Sequence, residues 1–91
     1  MVVLVTADIP GGTQEQAEAW ADRTGGALAS ARGLIFQADL PTGGGWRVVS
    51  VWESETDFAE YFDRAVRPAL PPDAPMPVIA DVAHLIQPES R

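Results

Sequence analysis

The residue types that the sequence lacks exclude several kinds of chemistry. Cysteine is absent from the 91 residues, which excludes disulfides, thiolate nucleophiles and cysteine-ligated zinc or iron–sulfur centres. Lysine is also absent, and the formal net charge is -7. Such an acidic chain repels a phosphate backbone, so no nucleic-acid partner is expected. With one histidine, His84, a single chain cannot form a multi-histidine metal site, and no metal is expected.

Long hydrophobic runs are missing as well. The apolar start, MVVLVTADIP, has no basic n-region or cleavage signature and is too short to span a bilayer. We therefore expect a cytoplasmic protein with no membrane contact. A composition that is 46% hydrophobic and 21% charged indicates a folded chain. Residues 1–91 are expected to form a single domain, in which residues 88–91 are a polar tail.

The first half of the chain predicts a strand followed by a helix. Residues 2–9 are mainly β-branched and apolar and are bounded by Pro-Gly-Gly, which indicates a buried strand. Thr13 and Gln16 have the spacing of a capping box, which predicts a helix start. The apolar period then continues past a Gly-Gly pair, so we expect this helix to reach Ser30, with Trp20 in the core.

The second half predicts a hairpin and a second helix. Residues 34–40 and 46–53 have strand patterns, and the Pro-Thr-Gly-Gly-Gly segment at 41–45 is typical of a hairpin connection. Ser54 and Asp57 have the spacing of another helix cap. Prolines from Pro68 onwards end that helix.

The last pattern, at residues 78–86, predicts a fourth strand. The order is then βαββαβ, the ferredoxin-like arrangement, in which two helices cover one face of a four-stranded antiparallel sheet. The predicted class is α+β.

Both faces of the predicted sheet carry apolar side chains. The third strand presents Val49 and Val51 on one side and Trp46, Val48 and Trp52 on the other. Two helices can cover only one face, and an exposed apolar face of this size is unusual for a soluble monomer. We therefore expect a homodimer whose two sheets pack against each other.

The segment GGGWRVVSVWES places two of the three tryptophans at the ends of one strand. Because strand side chains alternate, Trp46, Val48, Ser50 and Trp52 should lie on the same face. Trp52 is either a cavity wall or a structural anchor at the strand end. Trp46, beside the glycine-rich turn, is interpreted as a rim or interface residue.

The strand-to-helix junction VWESETDF, within residues 33–70, resembles the antibiotic-biosynthesis-monooxygenase-like (ABM-like) branch of the dimeric α/β-barrel proteins. The resemblance implies a ferredoxin-like protomer, sheet-to-sheet dimerisation and a cavity between sheet and helices. It also implies a cofactor-free monooxygenase or polyketide cyclase acting on an aromatic or polyketide-like molecule. In that family the junction tryptophan, here Trp52, lines the pocket, and Tyr61 aligns with a helical histidine.

The candidate catalytic residues are His84, as a base, and Tyr61, as a hydroxyl that binds a ligand or transfers a proton. Each has a structural alternative: His84 as a core or interface side chain, and Tyr61 as the polar edge of its helix. Asp39 is expected to face solvent. The candidate substrate-binding residues are Trp46, Trp52, Gln37, Ser50 and Phe58.

The sequence is consistent with three functions. The first is the cofactor-free enzyme. The second is a non-catalytic binding or interaction module, which is favoured by Val48 and Phe58, because anthrone oxygenases that resemble this chain carry asparagine and tyrosine there. The third is haem degradation, which would need His84 as an axial ligand.

Overall fold

The computed structural model describes residues 1–70 and 74–87, except for the side chains of residues 24, 25, 27 and 69. The predicted polar tail at 88–91 lies outside the described residues. The element order βαββαβ is confirmed. Its members are β1 (Val3–Pro10), α1 (Gln14–Ala29), β2 (Leu34–Thr42), β3 (Gly45–Trp52), α2 (Glu55–Tyr61) and β4 (Val78–Asp81).

The four strands form one antiparallel sheet in the order β2-β3-β1-β4. The first strand therefore lies between the third and the fourth. In this register Val3 pairs with Trp52 on β3 and with Asp81 on β4. The two helices follow β1 and β3, as the ferredoxin-like prediction requires.

Side-chain caps fix both helix starts. Thr13 Oγ1 accepts the Gln16 backbone N–H over 3.2 Å, and Gln16 Oε1 accepts the Thr13 backbone N–H over 3.1 Å. The predicted capping box of α1 is thus confirmed. Ser54 Oγ likewise accepts the Asp57 backbone N–H over 3.1 Å at the start of α2. As predicted, α1 continues through the Gly-Gly pair, and Ser30 is its C-cap.

The second helix is regular only as far as Tyr61. It continues as a π-helical turn, Phe62–Val66, and then as a 3-10 turn, Arg67–Ala69. Pro68 lacks an N–H and its ring clashes with the carbonyl one turn earlier, so a regular α-helix cannot continue through this segment. The sequence period alone had predicted one uninterrupted helix.

The fourth strand is shorter than predicted. It ends at Asp81, and a backbone hydrogen bond of 2.9 Å from Val82 N–H to the Val2 carbonyl closes the pairing with β1. The prediction of a strand as far as residue 86 is wrong, because β1 begins at Val3 and offers no partner to the later residues. His84 therefore lies beyond the sheet ladder.

A bulge near the start of β2 changes the predicted alternation. Leu34 pairs with Trp52 and Phe36 with Val51, so the register shifts by one residue at Ile35. Leu34 consequently packs against the core, whereas Phe36 lies on the opposite face. Strict strand alternation would place both side chains on one face. Just before the bulge, Gly33 has a φ of +83°, a conformation that glycine adopts without strain.

The core lies between the sheet and the helices. It consists of one cluster of buried residues: Val3, Val5, Trp52, Phe58, Tyr61 and Phe62. The opposite side, which we call the outer sheet face, carries Leu4, Phe36, Leu40, Val49, Val51 and Val78. Of these, Phe36, Leu40 and Val78 are 47%, 40% and 67% exposed. Among the described residues, no helix has the length and apolar character needed to cross a membrane.

Candidate functional site

A cavity of about 530 Å³ lies between α1 and the inner face of the sheet. It exists because α1 does not pack closely onto the sheet. None of the α1 side chains that the structure describes is buried, although Ala17, Trp20, Ala21 and Leu28 face the inner side. The volume falls in the range of about 300–1,000 Å³ that is typical of small-molecule sites.

The sheet supplies one wall of the cavity. Trp46, Val48, Ser50 and Trp52 all line it, as the alternation along β3 predicts. Gln37 also lines it from β2, where it pairs in register with Ser50. The five side chains therefore form a continuous surface. This surface is apolar at Trp52 and more polar where Ser50 meets Gln37 on the edge strand, β2.

Aromatic rings form the deep end, which we call the aromatic floor: Trp52, Phe58, Tyr61 and Phe62. The Trp52 ring is 5.6 Å from Phe58, edge to face, and 5.4 Å from Tyr61 at an interplanar angle of 31°. Both spacings are favourable for aromatic pairs. Trp52 is 0% exposed, and it is both the structural anchor and the cavity wall that the sequence had left as alternatives, because it lies in the core and also lines the cavity.

A buried hydrogen bond orients the Trp52 indole. Its Nε1–H donates to Ser50 Oγ over 2.9 Å, and Ser50 is only 4% exposed. A buried indole N–H needs an acceptor, and the serine two residues earlier on the same face provides it. The Ser50 hydroxyl can still donate its own proton, because accepting a hydrogen bond leaves the O–H free to rotate.

A second indole hydrogen bond lies towards the turn. Trp46 Nε1–H donates to Asp39 Oδ2 over 2.9 Å, between β3 and β2. Asp39 is exposed, as expected, but it also lines the cavity beside Gln37. Only one carboxylate oxygen is used by this bond, so the other can accept a hydrogen bond from a ligand.

The sequence did not predict that α1 supplies side chains to the cavity wall. Trp20 is half-buried and lines the cavity, and it is not a member of the core cluster where we had expected it. The Arg23 guanidinium carbon lies 5.4 Å from the centre of the Trp20 ring, and Arg23 also lines the cavity. A helical period shows which face is apolar, but it does not reveal whether a ligand space separates that face from the sheet.

An ion pair lies near the turn end of β1 and β3. Arg47 Nε is 2.6 Å from Asp8 Oδ1, and its Nη2 is 3.1 Å from Oδ2. The hydrogen bond from Arg47 lowers the pKa of Asp8 below its ordinary value near 3.8, and the same bond raises the pKa of Arg47. Both side chains are about half exposed, so the pair adds little stability.

The structure brings six of the seven candidate site residues together. The cavity lining includes Trp46, Trp52, Gln37, Ser50, Phe58 and Tyr61. His84 is exposed and is not part of that lining, because it follows β4 instead of lying on it. Among residues 1–70 and 74–87, no group of three or more metal-ligand side chains is found.

No family model matches this chain, and no curated protein does either. Solved structures that are similar along nearly the whole chain include the following three. Haem-degrading protein Rv3592 from Mycobacterium tuberculosis is 22% identical with a TM-score of 0.68, covering 96% of this chain and 100% of its own. A mutant of SnoaB, a cofactor-independent oxygenase from Streptomyces nogalater, is 17% identical with a TM-score of 0.59, covering 97% of both chains.

The third structure is a mutant of MhuD with two manganese protoporphyrin IX molecules bound per active site. It is 20% identical with a TM-score of 0.61 and covers 97% of this chain and 100% of its own. The chain has the ABM-like fold. At these identities the likeness establishes the fold that the VWESETDF junction had indicated, and the function has to be argued from the cavity.

Proposed function

We propose that this ABM-like protein binds a flat, electron-rich aromatic molecule of the polyketide type in its cavity and acts on it as a cofactor-independent monooxygenase or cyclase. The observation that carries the proposal is the architecture of the cavity itself. An aromatic floor around Trp52 faces a space of about 530 Å³, and polar groups occur on one wall. The similarity in fold to a cofactor-independent oxygenase, SnoaB, adds support.

The lining favours an aromatic ligand over a flexible polar one. Rings offer large contact areas and defined stacking geometries, and Trp20 and Trp46 line the cavity around the floor. The polar groups that a phenolic substituent could contact are few, which fits a site where a small number of groups fixes the orientation.

The side chains of the cavity would position the substrate and handle its proton. The Gln37 amide and the Ser50 hydroxyl can donate hydrogen bonds to a carbonyl or a developing oxyanion, and Asp39 can accept one from a phenol. Tyr61 presents the one phenolic hydroxyl of the chain at the floor. Holding the substrate in a single orientation and excluding water would promote its own reaction with oxygen or its cyclisation.

A homodimer is part of the proposal. The outer sheet face exposes Phe36, Leu40 and Val78, and the helices lie on the other side of the sheet. Packing this face against its copy would cover these side chains and make the sheet wall of the cavity more rigid. Sedimentation analysis at micromolar concentration should return twice the mass of 9.7 kDa. A particle of monomer mass would contradict the dimer.

Oxygen uptake with a dihydroxyanthrone probe tests the enzymatic proposal. We expect the protein to accelerate uptake above the buffer rate and Tyr61→Phe to reduce that acceleration, because the substitution removes the hydroxyl and keeps the ring. His84→Ala distinguishes the two sequence-based candidates. Loss of turnover in His84→Ala together with full activity of Tyr61→Phe would contradict an assignment of the chemistry to the cavity wall.

The non-catalytic alternative uses the same cavity. Val48 and Phe58 are apolar and line it, so fewer groups are present to transfer a proton than in a polar pocket. A probe that raises the melting temperature without any oxygen uptake or product would favour a binding protein, because a ligand that binds only the native state stabilises it.

Haem degradation has less support from the side chains present, although two similar structures are named for it or hold a porphyrin. Within the described part of the cavity, the lining includes no histidine, cysteine or methionine, and Tyr61 is the one residue of a type that ligates haem iron. The lining therefore does not fit a histidine-ligated haem. A Soret shift on haem titration that Tyr61→Phe abolishes would reverse this ranking.

A further inference from the structure

We infer that the cavity selects aromatic molecules that carry a carboxylate, and that Arg23 on α1 is the residue that recognises it. This inference rests on the proposed function and specifies the class of its substrate. Among the described residues that line the cavity, the side chains charged at neutral pH are Asp8, Asp39 and Arg23.

Arg23 differs from the arginines that form ion pairs within the described part of the chain. Arg47 is bound by Asp8 and Arg67 by Asp63. In residues 1–70 and 74–87, no carboxylate lies within salt-bridge distance of Arg23, which instead contacts the face of the Trp20 ring. In a chain of net charge -7, a guanidinium without a carboxylate partner at a cavity edge is available to an anionic ligand.

The contact with Trp20 also prepares Arg23 for binding. Stacking over the indole limits the positions of a long side chain and leaves its N–H groups free in the plane of the guanidinium. That planar arrangement matches the two oxygens of a carboxylate. Because Trp20 faces the same cavity, an aromatic acid could contact the indole with its ring and the guanidinium with its carboxylate.

The two acids of the lining do not cancel this charge locally. Asp8 is already paired with Arg47, and Asp39 accepts the Trp46 indole N–H. Both come from the sheet, whereas Arg23 comes from α1. Asp39 therefore gives the cavity an acceptor on the sheet and Arg23 a cation on the helix, which would orient a ligand with a phenolic group at one end and a carboxylate at the other.

Two matched probes test the inference: a dihydroxyanthraquinone and its monocarboxylic acid derivative, with dissociation constants measured by tryptophan fluorescence quenching. We expect the carboxylate probe to bind about three- to tenfold more tightly, a gain between that of an exposed ion pair and that of a charge-assisted hydrogen bond. Arg23→Gln should remove this preference, so that the two probes bind with similar dissociation constants. Arg23→Lys should keep only part of the preference, because an ammonium lacks the planar pair of donors.

Arg64→Gln is the matched control, since it makes the same change in net charge at an exposed position outside the cavity lining. Arg64→Gln should keep the full preference. The wild type should show the full preference at low salt and a smaller one at 1 M salt, where the Debye screening length is about 3 Å. Equal binding of both probes by wild type and Arg23→Gln would overturn the inference and leave the proposed function standing. Absence of binding by both probes would overturn the proposed function and, with it, this inference.

Discussion

The buried hydrogen bond between Trp52 and Ser50 lies at the aromatic floor, and the effect of its removal should be measurable. The indole N–H donates over 2.9 Å to Ser50 Oγ, and the two residues are 0% and 4% exposed. In Ser50→Ala the indole stays buried and loses its acceptor. Leaving a buried donor unsatisfied costs about 1–3 kcal/mol of unfolding free energy.

For a domain of this size, 1 kcal/mol corresponds to about 4–8 °C in the melting temperature, so we expect Ser50→Ala to lower it by roughly 5–20 °C. Urea unfolding followed by circular dichroism gives the free energy directly. The protein concentration must be held constant, because any association makes the midpoint depend on it. Ser30→Ala is the control: its exposed hydroxyl donates to the Gly26 carbonyl over 2.9 Å, and its loss should change stability by about 0.5 kcal/mol or less.

A double-mutant cycle separates the hydrogen bond from other effects of the serine. Trp52→Phe removes the donor, so Ser50→Ala should cost about 1 kcal/mol less in that background than in the wild type. Equal costs in both backgrounds, or a cost in the wild type no larger than that of Ser30→Ala, would refute the view that this bond orients the floor.

Three further predictions concern the floor, a turn and the surface. Trp52→Ala should cost about 3–5 kcal/mol in urea unfolding because it empties the centre of the core, and a cost near 1 kcal/mol would contradict that central position. Gly33→Ala should lower the free energy of unfolding by about 1–2 kcal/mol, because a φ of +83° is strained for alanine and the new Cβ would meet the Asp57 side chain. Gly44→Ala is the control, since there is open space around Gly44, and it should be neutral. Equal effects of the two substitutions would contradict this explanation. The pKa of Asp8 is lowered by its hydrogen bond from Arg47, so the pair stabilises the protein above the ordinary pKa near 3.8 and this contribution is lost as the pH falls through the lowered folded-state value. Asp8→Asn should therefore reduce the urea midpoint slightly at pH 7 and make no difference at about pH 2, whereas a difference that grows towards low pH would contradict the assignment.

Local signals in the sequence were enough to predict the order of the elements and both helix starts. The caps at Thr13 and Ser54 depend on residues three positions apart, so no tertiary information is needed to recognise them. The shared face of Trp46 and Trp52 follows from strand alternation in the same way.

The features that the sequence did not predict depend on residues far apart in the chain. The bulge that turns Leu34 towards the core is set by the register between β2 and β3. The end of β4 is set by where β1 begins, which is why His84 lies outside the sheet. The gap beneath α1, and with it the position of Trp20 in the cavity, depends on how closely a helix approaches the sheet, and periodicity carries no information about that distance.

The central position of β1 has a consequence for how the protein folds during synthesis. Its two neighbours in the sheet, β3 and β4, are both synthesised later. One edge of β1 therefore stays unpaired until β4 is made, because Val3 pairs with Asp81 on that edge. Until then, an apolar N-terminal segment remains open to chaperones or to other nascent chains, and contacts between such distant residues form slowly. We expect a ribosome-stalled nascent chain that ends before β4 to be far more sensitive to protease than one in which β4 has left the exit tunnel.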